Sequence, residues 1–268
     1  MKISLIGSGE MAFGIARNIL EKIVNVDLHL YSKDKNLKER FENFDFFKKK
    51  KFNNYSTFFT SSLEDLLTSE IIIESTFEDY EIKYKIFSDL CNLKYEKPIL
   101  CNTSVLDLEK MYVDLKKPNN FFGVHFFNPA YRTKAIEISK FKESSEQLYD
   151  EVLVFLNLLG KKVLKMDFIK GFSINRILVF QLHEAIKIVI KNKINKKNLD
   201  EIYIHAIGTV NGPLKTADII GLDILDKMFD EILGNEYDIG VRTHLNEYIS
   251  KGFLGRKKGK GFYEYPKL

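Results

Sequence analysis

Cysteine is scarce in this 268-residue chain, which has only Cys91 and Cys101. They sit in apolar surroundings with no pairing pattern. A disulfide-stapled secreted fold is therefore excluded, and a reducing compartment is expected. Arginine is scarce too, at six of 41 basic residues, and the lysines are interspersed with 37 acidic residues for a formal charge of +4. Such a surface lacks the basic face of a nucleic-acid binder. The one basic block, Lys48 to Lys51, reads as a solvated helix end or loop, or else meets a phosphate-bearing ligand. No apolar run reaches membrane-spanning length, and nothing at the start resembles a secretory or transit segment. His29, His183, His205 and His244 form no ligand spacing with cysteines or carboxylates, so no metal site is expected. No repeat or low-complexity tail is present. What remains is a soluble, cytoplasmic protein with 45% apolar residues, enough for one large or two modest cores.

The first half alternates strand-like and helix-like segments. Ile3 to Ile6 is a short apolar run ending in glycine, and Ala12, Ile15, Ala16, Ile19, Leu20 and Ile23 follow at helical spacing. Val26, Leu28 and Leu30 alternate as in a second strand. Ile71 to Ile73, Ile99 to Cys101 and Phe121 to Phe126 read as buried strands of a parallel sheet, with a helix over Tyr80 to Leu90. The second half differs. Ile174 to Ile190 is apolar nearly all round without glycine or proline, as in a long buried helix. Leu199 to Ile207, Thr216 to Leu233 and Arg242 to Ser250 also read as helices, and no strand is expected after Met166. The fold class is thus α/β: a Rossmann-type, doubly wound, mostly parallel sheet over residues 1–170, then an all-helical domain over 171–268.

Gly7-Ser8-Gly9-Glu10-Met11-Ala12 fits the G-x-G-x-x-G/A fingerprint, with a strand before it and a helix after it. Gly7 permits the tight turn, Gly9 lets backbone approach a pyrophosphate, and Ala12 keeps the helix close to the sheet. The free N–H groups of the helix start would receive the anion. An acid at the end of the second strand usually accepts the adenosine ribose hydroxyls. Here that position falls on Ser32, followed by Lys33 and Asp34. Serine and lysine could accommodate a 2′-phosphate, or Asp34 could serve through a shifted loop, so NAD and NADP both stay open. His125-Phe126-Phe127-Asn128-Pro129 closes a later strand at the carboxyl edge of the sheet. Glu137 follows in the next extended segment, and the two can form an acid/base pair.

The chain resembles the L-3-hydroxyacyl-CoA and 3-hydroxybutyryl-CoA dehydrogenases over nearly its whole length. The resemblance rests on Ile6 to Ala16, Ile73 to Asp79, Asn102-Thr103-Ser104, His125 to Pro129, Gly171 to Arg176, Gly212-Pro213 and Leu254 to Tyr263. It implies that His125 is the base taking the 3-hydroxyl proton and that Glu137 holds its other nitrogen and stabilises the imidazolium. It also implies that Ser104 and Asn175 contact the reacting oxygen and its surroundings. Glu78, Lys83, Asn102, Ser104, Asn128 and Lys257 would line the nicotinamide cofactor. A homodimer through the helical domain is implied as well. Apolar residues spread around its helices, among them Ile186, Ile190, Ile219, Ile220 and Leu225, point the same way.

Three departures stand against that pattern. The acid after the second strand is missing. Ala130-Tyr131-Arg132-Thr133-Lys134 lacks the usual apolar character of a pocket-shaping segment, so a polar or smaller acyl group becomes possible. Leu37 to Ser62 is shorter than the family's helical arm that grips coenzyme A; either Lys48 to Lys51 compensates by meeting its 3′-phosphate, or coenzyme A is not the carrier. The expected activity is oxidoreduction of a short 3-hydroxyacyl-CoA. The alternatives are a free 3-hydroxy acid as substrate, or dinucleotide binding without catalysis.

Overall fold

The computed structural model describes residues 1–44, 52 and 54–266; the Lys48 to Lys51 block lies outside them. Two compact units divide the chain, Met1–Phe172 and Ser173–Leu268.

The first unit is built on one eight-stranded sheet in the order β3-β2-β1-β4-β5-β6-β7-β8. The strands are β1 (Lys2–Ile6), β2 (Val26–Tyr31), β3 (Tyr55–Thr60), β4 (Ile71–Glu74), β5 (Ile99–Asn102), β6 (Phe121–Phe126), β7 (Ala135–Lys140) and β8 (Lys162–Asp167). Every neighbouring pair is parallel except β6 and β7, which are antiparallel. All residues of β4 and β6 are buried, which is why both read as unbroken apolar runs rather than alternations. The chain leaves β3 at one edge and re-enters at β4, on the far side of β1. Strand order therefore reverses between β1 and β4, the place where open α/β sheets form a ligand crevice at their carboxyl ends.

The helices α1 (Glu10–Lys22), α2 (Leu37–Asn43), α3 (Tyr80–Asn92), α4 (Leu108–Asp114) and α5 (Glu146–Leu158) cover the sheet. Ala12, Phe13, Ile15, Ala16 and Ile19 of α1 share one core with Leu5, Leu28 and Leu30 of the strands and Val152, Phe155 and Leu156 of α5. Each side chain of this size contributes about 1.5–3 kcal/mol on burial. Phe13 also meets Phe41 of α2 edge-on at 5.6 Å, which fixes the short helix over the glycine loop's own helix. Leu66, Ile72, Phe87, Leu90, Met111 and Tyr112 build a second core with α3 and α4.

The second unit is helical: α6 (Phe172–Asn192, its first residue in the first unit), α7 (Lys196–Ile207), α8 (Pro213–Ile220), α9 (Leu222–Leu233) and α10 (Ile239–Ser250). The single helix expected over Thr216 to Leu233 is in fact two. Gly221 breaks it at φ +102°, a conformation that costs side-chain-bearing residues strain. Asp200 of α7 caps the start of α8, accepting from the Leu214 and Lys215 amides at 2.9 Å each. Asp218, fully buried in α8, accepts from the Phe262 and Tyr263 amides at 2.8 Å each. The Gly261-Phe262-Tyr263 segment is thereby latched to α8. The apolar residues spread around these helices divide between core and surface. Ile186 and Leu225 are buried, whereas Ile219 is exposed. Among the described residues no helix is long and apolar enough to cross a membrane.

Candidate active site

A cleft of about 1220 Å³ opens at the carboxyl ends of β1, β2, β3 and β4. Gly7 turns the chain out of β1 at φ +132°, and a Cβ there would lie 2.4 Å from the Ser75 carbonyl oxygen, so glycine is required. At Gly9 a Cβ would meet nothing within 4 Å. Gly9 is also the N-cap of α1 and supplies no side-chain bond to it. The helix thus presents uncapped N–H groups to open space, the arrangement that receives a phosphate. Ser8, Glu10 and Met11 line the cleft with Ser32, and Ala12 is buried behind them. These residues fit the pyrophosphate and adenosine half of a dinucleotide. Arg40 of α2 and Ser61 after β3 also line the cleft. No motif marked them, because α2 is short and β3 is not an apolar run.

Further along the same edge the loops are tied to one another. Asn102 at the end of β5 donates to the Ser75 hydroxyl at 3.0 Å and accepts from the Phe126 amide at 3.1 Å. One side chain therefore spans the ends of β4, β5 and β6. Glu78 Oε1 accepts from the Thr103 hydroxyl at 2.6 Å, the Ser104 amide at 2.7 Å and the Val105 amide at 3.1 Å. That clamp sets the loop carrying the exposed Ser104. Ser104 is not the cap of α4; Asp107 is, through the Lys110 amide.

Lys83, expected on the cofactor, lies beneath the edge of the sheet. It is fully buried, and its ammonium donates to both oxygens of Glu74, at 2.9 and 2.7 Å, and to the Asn102 carbonyl at 2.9 Å. Its three donors are all spent beneath the edge of the sheet, leaving none for a ligand. Burial alone would favour the neutral amine, but the Glu74 carboxylate beside it holds its pKa above the usual lysine value.

His125 and Glu137 face each other across the antiparallel β6–β7 pair. Nδ1 of His125 lies 2.8 Å from Glu137 Oε2, and the residues are only 4% and 1% exposed. A surface role for Glu137 is thus ruled out. Phe127 and Phe172 flank the imidazole at ring-centroid distances of 4.4 and 5.3 Å; no sequence signal pointed to them. With Nδ1 held by the carboxylate, Nε2 is the nitrogen able to exchange a proton. Asn128 is exposed on the turn just after β6.

The remaining candidates belong to the second unit. Asn175 is buried inside the first turns of α6 and is not its cap, since the helix begins at Phe172. Lys257 lies in the 256–258 turn and pairs with Asp223 at 2.6 and 2.8 Å; burial pushes the Asp223 carboxyl up, but the Lys257 bond and charge together with backbone amides hold it below its ordinary range.

Comparison with known proteins agrees with these features. Residues 2–168 match the model of the 3-hydroxyacyl-CoA dehydrogenase NAD-binding domain, and residues 171–265 match that of the C-terminal domain. A 3-hydroxybutyryl-CoA dehydrogenase of Clostridioides difficile is 31% identical over 281 aligned positions, covering all of both chains. A Mycobacterium tuberculosis protein of the same name is 31% identical over 214 positions, covering 77% of this chain and 74% of that one. The crystal structure of (S)-3-hydroxybutyryl-CoA dehydrogenase from Ralstonia eutropha superposes with a TM-score of 0.84 at 28% identity, covering 99% of each chain. With both domain models matched in order along the chain, the protein belongs to the 3-hydroxyacyl-CoA dehydrogenase family.

Proposed function

We propose that this chain interconverts a short 3-hydroxyacyl-CoA and the corresponding 3-ketoacyl-CoA. The observation that carries the reading is the buried His125–Glu137 pair, set on the same sheet edge as the dinucleotide cleft. His125 Nε2 takes the proton of the 3-hydroxyl in oxidation and returns it in reduction. Glu137 fixes the tautomer through Nδ1 and stabilises the imidazolium formed in that step. Phe127 and Phe172 keep water from the ring, which strengthens the charge–charge contact. A bound nicotinamide supplies the hydride acceptor or donor. Ser104, on its clamped loop, and Asn175 are assigned to the reacting oxygen and its surroundings. Glu78, Asn128 and Lys257 are assigned to the cofactor side on the strength of family membership.

The test is oxidation of NADH or NADPH followed at 340 nm in the presence of acetoacetyl-CoA. Turnover with acetoacetyl-CoA and none with free acetoacetate is the expected result. Reduction of the free acid alone would instead favour a free 3-hydroxy acid substrate. The polar Ala130–Lys134 segment is the feature that would suit it, with the Arg17 guanidinium stacked 3.5 Å over the Tyr131 ring. The free thiols Cys91 and Cys101 suit a reducing compartment such as the cytoplasm.

The reading includes a homodimer formed through the helical unit. Ile177, Ile202, Ile207, Val210 and Ile239 of that unit are each more than 60% exposed, an excess of apolar surface for a solitary domain. Light scattering at micromolar concentration is expected to return twice the 31.2 kDa chain mass. A monomeric mass would contradict it.

A further inference from the structure

The adenosine end of the cleft carries chemistry that the family's NAD-binding model does not specify. Ser32 occupies the strand-end position at which a carboxylate ordinarily accepts the two ribose hydroxyls. Its Oγ lies 3.3 Å from the Ser8 hydroxyl of the glycine loop and accepts from the Asp34 amide at 3.1 Å. Asp34, the one acid close behind it, is turned into the β2–α2 connection. Its Oδ2 pairs with Arg40 at 2.6 Å and its Oδ1 accepts from the Asn36 amide at 2.9 Å. Those two bonds, that from Arg40 first, hold its carboxyl below the ordinary range, so it is a carboxylate whose charge is already countered. Among the described residues Lys33 donates to a neutral acceptor, the Ser61 carbonyl, at 2.8 Å, and its charge is felt by the Glu64 carboxylate without a direct ion pair. Its ammonium is therefore free to turn to an anion without breaking an ion pair. Lys33 and Arg40 both line the cleft; Glu64 lines it too, with its carboxylate bonded to the Ser62 hydroxyl. Asp34 and Glu64 stand against these two cations, and the rest of the lining adds Lys85 against Glu10 and Asp89, so the rim carries no net positive charge. Its cations, however, stand beside Ser32, and Asp34 is engaged.

We infer that Ser32, Lys33 and Arg40 form a site for the 2′-phosphate of a phosphorylated adenosine, so that the protein takes NADP(H) in preference to NAD(H). This deepens the dehydrogenase reading and rests on its dinucleotide cleft. Ser32 turns its hydroxyl proton from the Ser8 hydroxyl to the phosphate, while its oxygen keeps the Asp34 amide. Lys33 swings from the Ser61 carbonyl to the phosphate. Arg40 retains Asp34 through one nitrogen and offers its remaining N–H groups to the phosphate, a fork suited to such sharing. In an NAD-selective site the strand-end carboxylate would repel the same group.

The experiment compares 2′,5′-ADP with 5′-AMP, which differ only by the 2′-phosphate, in calorimetric titrations of the wild-type protein. Binding of 2′,5′-ADP at least tenfold tighter than 5′-AMP, with the gap narrowing as salt rises, is expected. In Arg40→Ala the ratio of the two affinities falls towards one, and Lys33→Gln lowers it by a smaller factor. Should Arg40→Ala fail to fold, the Lys33→Gln ratio decides. Equal or weaker binding of 2′,5′-ADP, while 5′-AMP binds, overturns the 2′-phosphate site and leaves the dehydrogenase reading standing. If neither nucleotide binds, the dinucleotide cleft itself is misassigned and both fall.

Discussion

Replacing His125 with glutamine is expected to lower kcat by about 10²-fold or more, the range in which a positioned general base contributes. Glutamine keeps polar atoms near Glu137 but cannot take a proton at the position of Nε2. The dinucleotide cleft is lined from the ends of β1 to β4 and the helices α1, α2 and α3, not from β6. Quenching of protein fluorescence by the reduced cofactor should therefore titrate as in the wild type, which separates lost chemistry from lost binding. Turnover like the wild type in this variant would remove His125 from the mechanism. Glu137→Gln is expected to be milder. The imidazole keeps a hydrogen-bonding neighbour but loses the charge opposite its protonated form. Its pH–rate profile must then shift; an unchanged profile would mean that the 2.8 Å contact has no part in proton transfer.

How far the site could be read beforehand depended on whether a feature is local in sequence. The glycine loop was legible because its turn, its close approach and the helix behind it all fall within six consecutive residues. β6 was legible because burial on both faces leaves an apolar run from Phe121 to Phe126. β3 was not, since Tyr55 to Thr60 is a half-exposed edge strand whose serine, threonines and aromatics carry no clean alternation. The pairing of His125 with Glu137 was legible as composition, twelve residues apart, but the register that sets them opposite is made by the antiparallel turn-back of β7. Arg40 was invisible for a related reason. Its approach to Asp34 depends on a seven-residue helix fixed by contacts of Phe41 with Phe13 and Phe59, and no spacing rule encodes that.

The contacts of Lys83 were hidden for the opposite reason. The family resemblance implied a cofactor contact for it, whereas its burial follows from Glu74, nine residues earlier at the end of β4. The pair is sealed at 0% side-chain exposure on both members, and Glu74 Oε1 also accepts from the Thr76 amide at 2.6 Å. Lys83→Met strips the carboxylate of its counter-charge while leaving it out of water. Breaking a buried pair from one side costs about 3–5 kcal/mol. For a unit of this size that lowers Tm by roughly 6–20 °C, at 2–4 °C for each kcal/mol. The double variant Lys83→Met/Glu74→Leu should recover much of the loss, because no isolated charge is left behind. The pH dependence has a definite sign. A lysine whose folded pKa is raised contributes stability that is complete below its unfolded value of about 10.4 and is lost only as pH rises through the folded value. Denaturant titrations between pH 6 and 9 should accordingly show a constant gap between wild type and Lys83→Met. A gap below about 1 kcal/mol would mean that the pair is not the clasp it looks to be. In that event Asn102, whose carbonyl the same ammonium holds, would set the ends of β4, β5 and β6 through its own side chain alone.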